Sequence, residues 1–218
     1  MNGTSLFLKL EDKNVLILGS GEVGIRRAKR FQSAGANVVI FGEKLPKELK
    51  NENVKFHLGL KKEKIKKSIE WANLVVVATT NTEINEYASK LSENKLLNHA
   101  EIPEKGNLIV PTKVNLEDIE ISIYTGGKSP LMAKILRKKL EKLIAEEKLI
   151  TKEELSQIKL QDYCRKILKN AIHSQRKRKE VLENILVNER INDLLSKDKL
   201  NKAKANAREI IMENANDN

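Results

Sequence analysis

The chain has 218 residues, enough to bury one large domain or one with a smaller companion, and its single cysteine, Cys164, excludes a disulfide framework and a cysteine-rich metal site. No window approaches the ~18 uninterrupted apolar residues of a membrane span, and the first residues lack the apolar core of a secretory signal, so a soluble, cytoplasmic protein is expected. The balance of 41 Lys+Arg against 30 Asp+Glu gives a net charge of +11, which favours nucleic acid, an acidic membrane or a polyanionic small molecule as partner, while the same richness in Lys and Glu also suits a thermophile's surface.

Through residue 111, short apolar runs at Val15–Leu18, Val38–Phe41, Val54–Leu58, Leu74–Ala78 and Leu96–Asn98 alternate with helical or polar segments. That is the pattern of βαβ units feeding a parallel sheet, so an α/β, Rossmann-type domain is expected over 1–111. Two further strands are predicted at Leu108–Val114 and Ile119–Tyr124, joined by "NLED". "TGGKSP" follows, and apolar residues at 131, 132, 135, 136, 140, 143 and 144 mark one face of a helix, completing a small module over 112–148. "TKEE" at 151–154 reads as a capping box that opens a helical C-terminal domain over 149–218, with helical pattern to about Met212 and fraying expected in the final "NANDN".

The first apolar run ends in Gly19-Ser20-Gly21-Glu22-Val23-Gly24, and an amphipathic segment with Val23, Ala28 and Phe31 follows. In a strand–turn–helix context these residues are candidates for holding a dinucleotide. Gly19 permits the tight turn, Gly21 leaves room for pyrophosphate, Gly24 lets helix and strand pack closely, and the helix N-terminus supplies amides and partial positive charge. The alternative is merely a tight turn. Glu43, just beyond the second strand, is the candidate for the ribose hydroxyls, though it falls a position or two later than usual and is equally readable as an exposed acid. No arginine closely follows that strand, which favours NAD over NADP. Thr79, Thr80 and Asn81 stand at the carboxyl end of the fourth run, where ligands of doubly wound sheets sit; they also read as a cap for a helix over Glu83–Leu91, and both roles are compatible.

With "FLKLEDKNVLILGSGEVGIRRAKRFQSAGANV", "ANLVVVATTNTEIN", "NHAEIPEKGNLIVPT" and "TGGKSPLMAKILRKKLE" in this order, the chain resembles the precorrin-2 dehydrogenase family, the amino-terminal module of siroheme synthases, from about Leu6 to Leu143. Some members also act as sirohydrochlorin ferrochelatases. The resemblance implies NAD-dependent oxidation of precorrin-2, a polycarboxylate tetrapyrrole, to sirohydrochlorin. It also implies a homodimer interlocked through the module after the Rossmann domain, and a helical domain at the C-terminus. A basic crevice would suit such a substrate, and Arg26, beside Arg27 inside the first helix, is a candidate carboxylate ligand. The alternative for the pair is a solvated helix face.

Family members carry an aspartate in "N-x-x-D-x-P" that is taken as general base or metal-handling residue; the matching position is Glu101, in Asn98-His99-Ala100-Glu101-Ile102-Pro103. Glutamate keeps the charge and adds a methylene. For this reason a dehydrogenase without iron insertion is expected. His99 is a second acid/base candidate because imidazole titrates near neutrality, the alternative being a satisfied core residue at a strand end. In "TGGKSP", Gly126, Gly127 and Ser129 are candidates for a substrate carboxylate, with Ser129 as N-cap and Pro130 at the first helical position. His57 and His173 have no partners at ligand spacing, so no metal site is expected.

Two other classes of function stand beside this one. A Rossmann domain that senses NAD without turnover explains the glycine turn and neither "TGGKSP" nor "NHAEIP". Nucleic-acid binding is suggested by "KKEKIKK" at 61–67 and "HSQRKRKE" at 173–180, but these runs lack aromatic residues for stacking, and solvated helix faces are the expectation.

Overall fold

The structure is a computed structural model that describes residues 3–44, 49 and 54–216. The chain divides into two compact units, Met1–Val110 and Pro111–Asn218.

In the first unit, β1 (Asn14–Leu18), β2 (Asn37–Gly42), β3 (Val54–Leu58), β4 (Leu74–Val77) and β5 (Leu96–His99) form a parallel sheet in the order β3-β2-β1-β4-β5. β1 and β4 read as unbroken apolar runs because a central parallel strand is covered on both faces. Val15, Ile17, Val38, Ile40 and Val76 face one layer with Ala28 and Phe31 of α1 (Glu22–Ser33). Leu16, Leu18, Phe41, Val75 and Val77 face the other with α2 (Lys62–Trp71) and α3 (Thr82–Leu91). The "KKEKIKK" run lies largely on α2, where Ile65 and Ile69 are buried and the lysines are exposed.

The strand expected over Leu108–Val114 begins only at Thr112. Residues 107–110 are instead tied by side chains and isolated amides. Asn107 Nδ2 donates to Lys95 O (2.8 Å), Asn98 Nδ2 to Leu108 O (2.9 Å) and Arg27 Nη1 to Val110 O (3.0 Å). With its carbonyls taken by side chains and Pro111 lacking an N–H, the segment has no ladder to join. Burial pushes the Arg27 guanidinium down to about 10, so it still carries its charge at neutral pH.

In the second unit, β6 (Thr112–Leu116) and β7 (Ile119–Ile123) form an antiparallel hairpin around Glu117, whose φ of +47° turns the chain, and Lys113 pairs with Glu120 across it. Helix α4 (Pro130–Ala145) packs on the hairpin with Ala133 buried, and it leaves Leu131, Met132, Ile135 and Leu136 exposed. Helices α5 (Lys152–Ala171), α6 (Gln175–Leu186), α7 (Glu189–Ser196) and α8 (Leu200–Asn216) enclose a separate core of Leu160, Cys164, Leu168, Val181, Ile185, Ile191 and Ile211. The capping box at Thr151 is formed: Glu154 N–H donates to Thr151 Oγ1 at 3.2 Å, and Thr151 N–H to the Glu154 carboxylate at 2.8 Å. Burial raises the Cys164 thiol to about 11, which leaves it unreactive. Helix α8 continues to Asn216, past the point where fraying was expected, and 217–218 lie outside the described residues. Among the described residues no helix is long and apolar enough to cross a membrane.

Candidate active site

The ends of β2, β1, β4 and β5 share the carboxyl edge of the sheet, and the connection reverses direction between β1 and β4. A crevice outside the strand ends at such a point is where open α/β sheets bind ligands.

Gly19 leaves β1 at φ +116°, its N–H donating to Phe41 O at 2.8 Å. A Cβ there would lie 2.1 Å from Ala78 O and 3.1 Å from Thr79 N, so this glycine is what allows the β1 turn to lie against the end of β4. Gly24 is equally constrained: its Cβ would lie 1.9 Å from Gly19 O, where α1 crosses its own turn. Gly21 differs from both. It is the N-cap of α1 with an ordinary φ of −74°, and the space its Cβ would occupy has nothing within 4 Å. The helix therefore starts with unpaired amides facing open space, the arrangement that receives a pyrophosphate.

Ser20 sits against the end of β2, where a Cβ on Gly42 would come within 2.1 Å of its Oγ. Glu43 follows directly and is exposed. Glu22 is exposed and pairs with Arg26 at 3.3 Å, and Val23 is half-buried.

Beyond β4, Asn81 caps α3, its Oδ1 accepting from Ile84 N–H at 3.0 Å. Thr79 turns inward: its Oγ1 donates to Asn85 Oδ1 at 2.9 Å and accepts from Asn81 N–H at 2.9 Å, while Asn85 Nδ2 donates to Thr79 O at 2.9 Å. Thr80 and Asn81 are exposed, and Thr79 is half-buried. The buried Asn85 is a residue that sequence reasoning missed, and its signal is a polar side chain between Ile84 and Ala88 on the apolar face of α3.

Beyond β5, Ala100 N–H donates to Val77 O at 2.8 Å, which holds the next turn beside the end of β4. Glu101 is exposed at its tip. His99 is only 2% exposed, and its Nδ1 accepts from Ile102 N–H at 3.0 Å, which places the ring proton on Nε2. Burial lowers the His99 pKa, with Lys105 acting in the same direction and Glu101 against it. The structure thus brings together the glycine turn, Glu43, Thr79–Asn81 and the Glu101 turn along one edge.

Gly126, Gly127 and Ser129 belong to the second unit. Both glycines are left-handed (φ +67° and +75°), and Ser129 Oγ accepts from Met132 N–H at 3.1 Å as N-cap of α4, with Pro130 at the first helical position. Among the described residues no group of His, Cys, Asp and Glu is arranged to hold a metal ion.

This strand order, turn and crevice are those of a dinucleotide-binding Rossmann protein. Residues 6–112 match the profile of a family described as "Putative NAD(P)-binding". A "Putative precorrin-2 dehydrogenase" of Methanocaldococcus jannaschii is 32% identical over 203 residues, covering 88% of this chain and 94% of that protein. The "Precorrin-2 dehydrogenase" of Methanosarcina barkeri is 31% identical over 198 residues, covering 87% and 85%. "Siroheme synthase 3" of Aeromonas hydrophila is 30% identical over 152 residues, which is 67% of this chain and 32% of that longer protein. The solved structure of "SirC, precorrin-2 dehydrogenase" shares the fold, with a TM-score of 0.73 at 20% identity over 95% of this chain and 100% of that one. The chain belongs to the precorrin-2 dehydrogenase family, and is an oxidoreductase with a nicotinamide cofactor.

Proposed function

We propose that this protein oxidises precorrin-2 to sirohydrochlorin with NAD, in the cytoplasm and as a homodimer. The observation that carries the reading is the open space at Gly21 on the edge that also holds the Glu101 turn. When bound, the nicotinamide supplies the hydride acceptor.

The chain's own residues bind, orient and take a proton. The amides opening α1 hold the pyrophosphate, with Ser20, Glu22 and Val23 shaping the turn. Glu43 holds the ribose hydroxyls, and its negative charge disfavours a 2′-phosphate, hence NAD rather than NADP. Thr80 and Asn81 border the nicotinamide side, with Thr79 fixing their backbone. Glu101, which is exposed, takes the proton that a second atom of the ring system releases as the hydride leaves its carbon. Arg26 exchanges Glu22 for a substrate carboxylate, a low-cost exchange between exposed groups. In the second unit, taken by itself, the backbone of Gly126 and Gly127 and the Ser129-capped start of α4 offer donors that suit a carboxylate. The exposed Leu131, Met132, Ile135 and Leu136 supply an apolar face for a second copy.

Iron insertion is assigned to another protein, because the position at which the family carries aspartate holds the longer Glu101. Anaerobic incubation with precorrin-2 and either NAD or NADP, followed by ferrous ion, tests this. Sirohydrochlorin forms faster with NAD, and its spectrum then stays unchanged with iron. Cofactor binding without sirohydrochlorin would make the protein a sensor, and conversion to siroheme would restore the chelatase.

A further inference from the structure

The Glu101 turn is closed by a side chain. Four hydrogen bonds define residues 100–106: Ala100 N–H to Val77 O (2.8 Å), Ile102 N–H to His99 Nδ1 (3.0 Å), Lys105 N–H to Ile102 O (3.0 Å) and Gly106 N–H to Pro103 O (3.1 Å). Three are backbone bonds. The one that spans Glu101 itself depends on the imidazole, which acts as an acceptor for the N–H three residues on, as an Asn or Asp side chain does at a cap or turn. The returning chain leaves no slack, since a Cβ on Gly106 would lie 3.0 Å from His99 N and 2.6 Å from Leu97 O.

His99 is itself buried and hydrogen-bonded. It lies on the sheet face shared with Val77 and Leu97, at 2% exposure, opposite Val77 in the β4–β5 register. A buried ring with its Nδ1 already bonded to backbone is poorly placed to exchange protons with a substrate. It is well placed to fix the height and direction of the residue two positions on. We propose that His99 is a positioning residue for Glu101, holding the turn that presents this carboxylate, and that it is not itself the acid or base. The proposal rests on the reading that Glu101 takes the proton from the tetrapyrrole.

The geometry predicts that any side chain able to accept from the Ile102 N–H serves. His99→Asn retains a short acceptor, and His99→Leu fills the site without one. Each variant is assayed for precorrin-2 oxidation with saturating NAD, for NAD affinity, and for hydrogen exchange at the Ile102 amide. His99→Leu is expected to lower kcat by about tenfold or more, since small misplacements of a reacting group are costly, with KM for precorrin-2 and NAD affinity within about twofold and the Ile102 amide exchanging freely. His99→Asn is expected to recover most of kcat and the amide protection together.

If His99→Asn stays as slow as His99→Leu while Ile102 is protected, the imidazole moves the proton itself and the proposal is overturned. Full activity in His99→Leu overturns it as well, leaving a packing residue. A wild-type protein that binds NAD yet oxidises no precorrin-2 overturns the underlying reading and this proposal with it, and is distinguished by failing before any variant is compared.

Discussion

Gly42 and Ser20 touch: a Cβ on Gly42 would lie 2.1 Å from Ser20 Oγ and 2.3 Å from Ser20 Cβ. The residue that ends β2 thus sets how close the glycine turn lies to the strand that Glu43 follows. Gly42→Ala must push Ser20 outward, and overpacking of this kind costs about 1–3 kcal/mol. A urea midpoint lowered accordingly, together with NAD affinity weakened roughly tenfold as the turn shifts against its ligand, is the expected outcome, read by denaturation and by NAD titration.

The three fingerprint glycines separate into structural and ligand-facing positions. Gly24→Ala places a Cβ 1.9 Å from Gly19 O, a backbone atom that cannot yield, so both stability and NAD binding fall. Gly21→Ala meets nothing within 4 Å and sits at an ordinary φ of −74°, so the melting temperature stays close to wild type. Its methyl group enters the space assigned to pyrophosphate, and NAD affinity drops by about tenfold or more. Thermal melts paired with NAD titrations distinguish the two.

Asn85 holds the start of the β4–α3 turn through two bonds of 2.9 Å to Thr79. Asn85→Leu removes both and leaves the half-buried Thr79 without its partners on Asn85, a loss of about 1–3 kcal/mol. Because Thr79 N lies beside Gly19, the KM for NAD should rise in the same variant while the capping of α3 by Asn81 persists.

His99 makes stability depend on acidity. Burial, helped by Lys105 and opposed by Glu101, holds its folded-state pKa below the ordinary value of 6.5. Between the folded and unfolded values the unfolded chain binds more protons, so stability rises with pH there. The contribution of neutral His99 is complete above the unfolded value and is lost as pH falls through the folded one. Urea midpoints measured from about pH 8 down to about pH 5 should fall more steeply for wild type than for His99→Asn, which cannot titrate. Parallel curves would show that His99 does not set this dependence.

The strands of the first unit were legible within a residue or two because short apolar runs alternate with polar or helical segments, the central β1 and β4 being covered on both faces, and the starts of α4 and α5 because Ser129-Pro130 and Thr151–Glu154 are local signals. Residues 108–111 misled because Leu108, Ile109 and Val110 look like a strand, and only their partners, Asn98 and Arg27, reveal a strap tied by side chains. Gly42, Asn85 and Gly106 escaped for the same reason, since each is explained by an atom distant in sequence or by the turn it closes. At the candidate site, the glycine turn could be read from its spacing together with the strand before it and the helix after it. That His99 accepts from the turn carrying Glu101 is a matter of side-chain direction, which periodicity does not encode.

The most direct measurement is the stoichiometry of a single anaerobic turnover of precorrin-2, following NADH absorbance and the sirohydrochlorin spectrum together, in wild type and in Glu101→Gln. The predicted result is about one NADH per sirohydrochlorin, as a hydride transfer requires, at a rate sharply reduced in Glu101→Gln while NAD still binds. Sirohydrochlorin appearing without NADH, or Glu101→Gln turning over at the wild-type rate, would contradict it.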